Sequence, residues 1–313
     1  MKGLEISQAY FQQFGMPMLE ESFPDLLPHV AAGLFGSGSE CFGFDDDVSR
    51  DHDFDPGFVL LLPGEDVVSR KRAFDLERAY AALPKEFAGC KRSALAPVGG
   101  ARRGVMRMAD FFREKTGSPE GVLTVGQWMQ VPSQSLAEAV NGAVFHDGSG
   151  ELSAIRSRLA RYPHDIRCKK LAGHLLLAAQ AGQYNYPRCL RHGEAAAAQM
   201  AVFAFAQSVI QAVFLLNDAY APFYKWQFRA MRALPRLPLA AELLEYLITT
   251  GNDGELARDK QEVIEGIAED LAEELAHQGL GHASGTDLEK HAYAVNDNVE
   301  DANLRNDHIL AAV

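Results

Sequence analysis

Cysteine is scarce: four in 313 residues, at 41, 90, 168 and 189, with no C-x-x-C pair. That excludes a disulfide framework and leaves reduced, buried thiols of a cytosolic protein. Positive charge is in deficit. Lys plus Arg number 30 against 42 for Asp plus Glu, a formal net charge of -12. Such a chain is a poor match to a long phosphate backbone, so no long nucleic acid is expected as partner. Local charge can oppose global charge, so a small anion such as a nucleotide stays compatible. The N-terminus lacks the apolar h-region of a signal peptide. Uninterrupted hydrophobic runs are missing as well. The most apolar stretch, Ala195 to Leu216, contains Gln199, Gln207, Ser208 and Gln211 and runs into Asn217-Asp218. It reads as a buried helix rather than a membrane span. A soluble, cytoplasmic protein with no membrane partner is expected.

Hydrophobic residues make up 47% and charged residues 23%, a globular mix with a sizeable core. The length suggests two domains. Residues 4–14 and 17–30 have helical spacing, the second punctuated by Pro17, Pro24 and Pro28. A turn-rich segment follows from Gly33, then an acid run, Asp45 to Asp47, expected to be solvated. Phe58 to Leu62 reads as a strand ended by Pro63-Gly64. Residues 65–83 read as a helix, Gly104 to Met108 as a strand, and Asn141 to Gly150 as a strand entering a turn. From Glu151 nearly everything reads as helix: 151–161, 164–182, 188–217, 221–233, 238–250 and 255–278. The tail 280–313 offers one weak helix. The fold class expected is α+β, a mixed domain over residues 1–150 followed by an all-helical bundle over 151–313.

Chemistry concentrates in Gly36-Ser37-Gly38-Ser39, Gly43, and Asp51-His52-Asp53. On a strand Asp51 and Asp53 face the same way, with Cα atoms about 7 Å apart. Two carboxylates at that spacing repel unless a cation or a proton intervenes. Mg²⁺ takes one or two carboxylates and completes its shell with water and phosphate oxygens. Glycines upstream let backbone N–H groups approach a phosphate, and a serine adds a hydroxyl donor. A phosphate-cradling turn followed by two carboxylates suits metal-assisted nucleotide chemistry.

Gly38-Ser39, eleven residues, then Asp51-His52-Asp53 resembles the signature of the DNA polymerase-β-like nucleotidyltransferase superfamily. Gly43 matches a second glycine of that signature. Gly36-Ser37, with a spacer of thirteen, fits a second register, but only Gly38-Ser39 places Gly43 correctly. Longer strings are similar to an uncharacterised family within the superfamily. They are Gly38 to Asp46, Ser49 to Phe54, Gly142 to Asp147, Tyr184 to Glu194 and Tyr220 to Trp226. The layout also resembles aminoglycoside adenylyltransferases, with a nucleotidyltransferase domain followed by a helical substrate-binding domain.

The resemblance implies roles residue by residue. Asp51 and Asp53 would hold Mg²⁺, and Gly38, Ser39 and Gly43, with Ser37 as the alternative, would meet the phosphates. The reaction would move NMP from an NTP, with ATP the expected donor, to a hydroxyl of a small acceptor, releasing pyrophosphate. The superfamily often has a third carboxylate on a later strand. The matching strand, Gly104 to Met108, has none, and Asp110 just after it reads as a helix N-cap. Glu194, where Arg188, Arg191 and His192 lead into the apolar helix, reads as a first-turn acid. By analogy with the antibiotic adenylyltransferases it could serve as base for the acceptor. Lys225, among Phe223, Tyr224 and Trp226, reads as a core stripe or as a phosphate or ring contact. Alternatives are a nucleotide-binding module without catalysis and an AMPylator of a macromolecule. A monomer or homodimer is expected.

Overall fold

The computed structural model describes residues 1–46, 55–92 and 103–313. Asp51 and Asp53 therefore lie outside the described residues. Helix α1 (Gly3–Tyr10), a π-helical stretch (Phe11–Gly15) and α2 (Met16–Ser22) form one helical run. The sequence reading broke this run at Pro17. Pro17 is the second residue of α2, directly after the π-helical stretch, and the backbone stays helical through Gly15 and Met16 before it. The run ends at Ser22 rather than near 30. At the start of α1 the Glu5 carboxylate accepts from the Lys2 N–H at 2.9 Å, satisfying a backbone donor just before the helix.

Strand β1 (Ala31–Leu34) takes up Gly33 and Leu34, the start of the segment expected to be turn. It is one of the two interior strands of a mixed four-stranded sheet, buried along its whole length. It pairs antiparallel with β2 (Val59–Leu62). Helix α3 (Arg70–Ala82) starts on a Ser69 hydroxyl that accepts from the Arg72 N–H. A small hairpin follows, β3 (Glu86–Phe87) with β4 (Cys90–Lys91). Strand β5 (Gly104–Arg107) pairs parallel with β2 at the sheet edge, and α4 (Met108–Thr116) follows directly. Helices α5 (Val125–Gln130) and α6 (Ser133–Val140), neither read from sequence, lead into β6 (Ala143–Asp147). Strand β6 pairs antiparallel with β1, giving the order β5-β2-β1-β6. Helix α7 (Glu151–Arg158) packs on β6.

Alternation sets the core. Ala32, Leu60 and Leu62 share one sheet face with Val30 and Phe58. Against them pack Tyr10, Phe11 and Leu19 of the first helical run and Leu76 and Tyr80 of α3. The Tyr80 hydroxyl donates to the Phe58 carbonyl at 2.9 Å and accepts from the Phe58 N–H at 3.2 Å. A buried tyrosine needs such partners.

The chain divides into two compact units, Met1–Gln127 with Val131–Ala160, and Trp128–Gln130 with Arg161–Val313. The division falls ten residues beyond the composition change at 150. The cause is α7, whose Arg156 guanidinium donates to the carbonyls of Val140 and Asn141 in the first unit.

The second unit is helical: α8 (His164–Ala178), a π-helical stretch (Ala179–Asn185), α9 (Tyr186–Arg191), α10 (Ala195–Leu216), α11 (Tyr224–Met231), α12 (Ala240–Thr249) and α13 (Gly254–His277). Two short helices, α14 (Leu288–Asn296) and α15 (Ala302–Asn306), stand where one weak helix was expected. The protein is thus a mixed α+β fold with a small sheet and a helical C-terminal region. Helix α10 has the length and apolarity of a membrane span, but 61% of its most apolar window is buried inside the protein.

Candidate functional site

Strand β1 delivers the chain into Gly36-Ser-Gly-Ser39, and a 3₁₀ turn (Glu40–Phe42) closes it. Gly36 and Gly38 have φ of +99° and +129°, and Gly43 ends the turn left-handed at +71°. A Cβ on Gly38 would stand 2.6 Å from Glu40 Oε1, so both conformation and space require glycine there. Among the described residues, the N–H groups of Ser37, Gly38 and Ser39 donate no backbone hydrogen bond. Successive free N–H groups at glycine-rich turns form an anion-binding concavity.

Side chains from distant segments fix this turn. The Asn141 amide oxygen accepts from the Gly36 N–H, and its amide nitrogen donates to the Gly36 carbonyl, both at 2.8 Å. The Ser37 hydroxyl donates to Glu138 Oε2 at 2.9 Å. Lys115 Nζ donates to the same oxygen at 2.7 Å and lies 3.5 Å from Ser37 Oγ. Burial works against the Lys115 charge, but the bond and field of Glu138 outweigh it and raise its pKa. Glu138 and Asn141 lie at the C-terminal end of α6, where Arg156 holds the last carbonyls. Neither α6 nor these residues were legible beforehand. Asn141-Gly142 marks a helix stop, but its pairing with a turn 105 residues away leaves no local signal.

Beneath the other half of the turn, Arg103 Nη2 donates to Glu40 Oε1 at 2.7 Å, with both side chains under a tenth exposed. Burial opposes the Arg103 charge, yet Glu40 and further negative neighbours raise its pKa overall. Asp45, expected to be solvated, is buried. Its Oδ2 accepts from the Gly3 N–H at 2.9 Å, satisfying a first-turn donor of α1. Asp55 Oδ1 accepts from the Gly57 N–H at 2.6 Å, in an Asx turn just before β2.

The two serines are thus inequivalent. The Ser37 hydroxyl is engaged by Glu138. Ser39 makes no cap bond with its hydroxyl at the start of the 3₁₀ turn. Gly36, Ser37, Gly38, Ser39 and Gly43 stand in one loop of the first unit. Glu194 and Lys225 belong to the second unit. Glu194 is exposed at the start of α10 and makes no side-chain cap bond. Lys225 is exposed on α11, with Nζ 5.0 Å from the Trp226 ring. Arg188 Nη1 donates to the Tyr184 hydroxyl at 3.2 Å. Asp110 is no N-cap. It lies in the first turn of α4, exposed, paired with Arg113 at 2.5 Å, and β5 carries no acid. Among the described residues no three His, Cys, Asp or Glu side chains converge as a metal site.

A protein-family model described as a domain of unknown function, DUF4037, matches residues 128–227. That span includes Glu138, Asn141, Arg156, Glu194 and Lys225 and leaves the turn outside. No curated protein and no solved structure matches the chain.

Proposed function

We propose that the chain is a cytoplasmic nucleotidyltransferase moving NMP from an NTP, with ATP as donor, to a hydroxyl of a small-molecule acceptor. The observation that carries this reading is the Gly36–Ser39 turn, with three free N–H groups in a row and its flanks tied down. Such donors meet phosphate oxygens without ordering cost. Thirteen and fifteen positions after Gly38 come Asp51 and Asp53. Their carboxylate oxygens are the donor set Mg²⁺ prefers, and the two acids would hold it. Bound there, the ion would neutralise developing charge at the transferred phosphoryl group.

The protein's own residues supply position. The turn holds the leaving phosphates through the N–H groups of Ser37, Gly38 and Ser39 and the Ser39 hydroxyl. In-line attack at phosphorus then depends mainly on alignment. The absence of an acid on β5 and the engagement of Asp110 by Arg113 favour one second reading. In it the chain binds nucleotide without transferring it.

Calorimetric titration of ATP into wild type, Asp51→Asn and Asp53→Asn, with and without Mg²⁺, tests the reading. Binding that needs both aspartates and Mg²⁺ supports it, and pyrophosphate release across hydroxyl acceptors then separates transferase from binding module. If the folded wild type takes up no NTP, alone or with acceptors present, the proposal falls.

A further inference from the structure

We infer that Lys115 is a positioning residue for the Gly36–Ser39 turn, acting through Glu138 and Ser37 and so setting the affinity of the turn for a polyphosphate. The inference rests on the reading of the turn as a nucleotide-phosphate site. Glu138 is nearly buried and bonds directly to a residue of the turn. Unpaired, its carboxylate would repel an arriving anion through a medium that screens poorly. Lys115, only 12% exposed, cancels that charge at 2.7 Å. Its other carboxylate partner, Glu114 at 3.1 Å, is 70% exposed and contributes little.

The same contact sets geometry. While Lys115 holds Glu138, that carboxylate keeps the Ser37 hydroxyl turned away from any ligand. Asn141, three residues on from Glu138, pins Gly36. The first half of the turn is thus occupied by protein partners, and the N–H groups that follow are left for the ligand. A lysine serving stability alone would be an expensive choice at this site, since burying an ammonium costs more than burying an apolar chain. Arg113, the other basic residue in the last turn of α4, is exposed and pairs outward with Asp110.

The test uses the full chain, with Lys115→Met, Lys115→Met/Glu138→Gln and Glu138→Gln. Three quantities are read: ATP–Mg²⁺ affinity at low and high salt, hydrogen exchange of the 36–43 segment without nucleotide, and the melting temperature. Lys115→Met should weaken ATP about tenfold at low salt, less at high salt, and speed exchange of the turn amides. The double variant should recover most of the affinity, because the unpaired charge is gone. A stability role alone would move the melting temperature without this salt-dependent rescue.

ATP affinity within about twofold of wild type in Lys115→Met, with unchanged exchange, overturns the inference while leaving the nucleotide site standing. Faster turn exchange in a protein that binds no nucleotide at all does the reverse, keeping the positioning role and removing the phosphate reading. If Lys115→Met does not fold, Glu138→Gln carries the test. It removes a negative charge beside the turn and should tighten ATP about threefold, and unchanged affinity overturns the inference.

Discussion

Asn141 grips Gly36 by both of its backbone groups, with two hydrogen bonds of 2.8 Å from one side-chain amide. The amide imitates a neighbouring strand just where β1 has ended and the chain must leave the sheet. Asn141→Asp keeps the acceptor, loses the donor and adds a charge. It should destabilise the first unit by about 1–2 kcal/mol. Hydrogen exchange of the 31–36 segment, compared with that of α8, checks whether the loss is confined to this unit.

The buried pair of Arg103 and Glu40 sits directly under Gly38, and its two members should respond unequally. Arg103→Met strands a carboxylate in a site only 7% exposed. The loss should be about 3 kcal/mol or more. Glu40→Gln keeps an acceptor for the guanidinium and should cost less. Urea unfolding followed by far-UV circular dichroism orders the two, and equal losses would argue against a buried ion pair.

Ser37 and Ser39 are two residues apart and should behave differently. Ser39→Ala removes a hydroxyl without a cap bond, and should weaken ATP about fivefold while leaving the melting temperature unchanged. Ser37→Ala removes a bond to Glu138 and should lower stability first. Paired titrations and melts of the two variants decide it. The opposite pattern would return the phosphate contact to Gly36-Ser37.

What could be read beforehand follows from the range of the interactions. Strand β2 announced itself because Val59 to Leu62 is a short apolar run between Gly57 and Pro63. Helix α13 did so through its period, expected over 255–278. The α+β class and the glycine turn were legible for the same local reason. Strand β1 was not, because Ala31-Ala-Gly33 is small, buried on both faces and without alternation. Gly33 and Gly142 look like loop glycines in the sequence. In the fold, a Cβ on Gly142 would meet the Leu34 carbonyl at 1.9 Å. Asp45 looked solvated because its partner, the Gly3 amide, lies 42 residues away. The residues that fix the turn, Arg103, Lys115, Glu138 and Asn141, were missed because each meets it from a segment at least 60 residues away in the chain.

The helical unit carries its own pH signature. Lys260 Nζ is buried and donates to Gln199 Oε1, Asn252 Oδ1 and the Thr250 carbonyl, all uncharged oxygens at 2.9–3.0 Å. Lys170 Nζ donates to the carbonyls of Met129 and Ala312 in the same way. With no carboxylate to offset burial, both are pushed down to about 8 from 10.5. Below pH 8 the folded and unfolded chains hold these protons equally, and the cost of the buried charges is constant. Between about 8 and 10 the unfolded chain still holds them while the folded one has released them, so stability rises with pH. The gain should be about 2–3 kcal/mol for each lysine, and it should shrink by about half in Lys260→Met. Above about 10 the trend reverses. Burial lifts Tyr186 to about 12, with Tyr246 adding to it, so unfolded tyrosines ionise first. Both tryptophans, Trp128 and Trp226, lie in this unit. Urea midpoints followed by tryptophan fluorescence at pH 7, 8, 9 and 10 therefore report on it directly. A midpoint that stays flat over that range would mean that carboxylate partners, not neutral oxygens, hold the buried lysines.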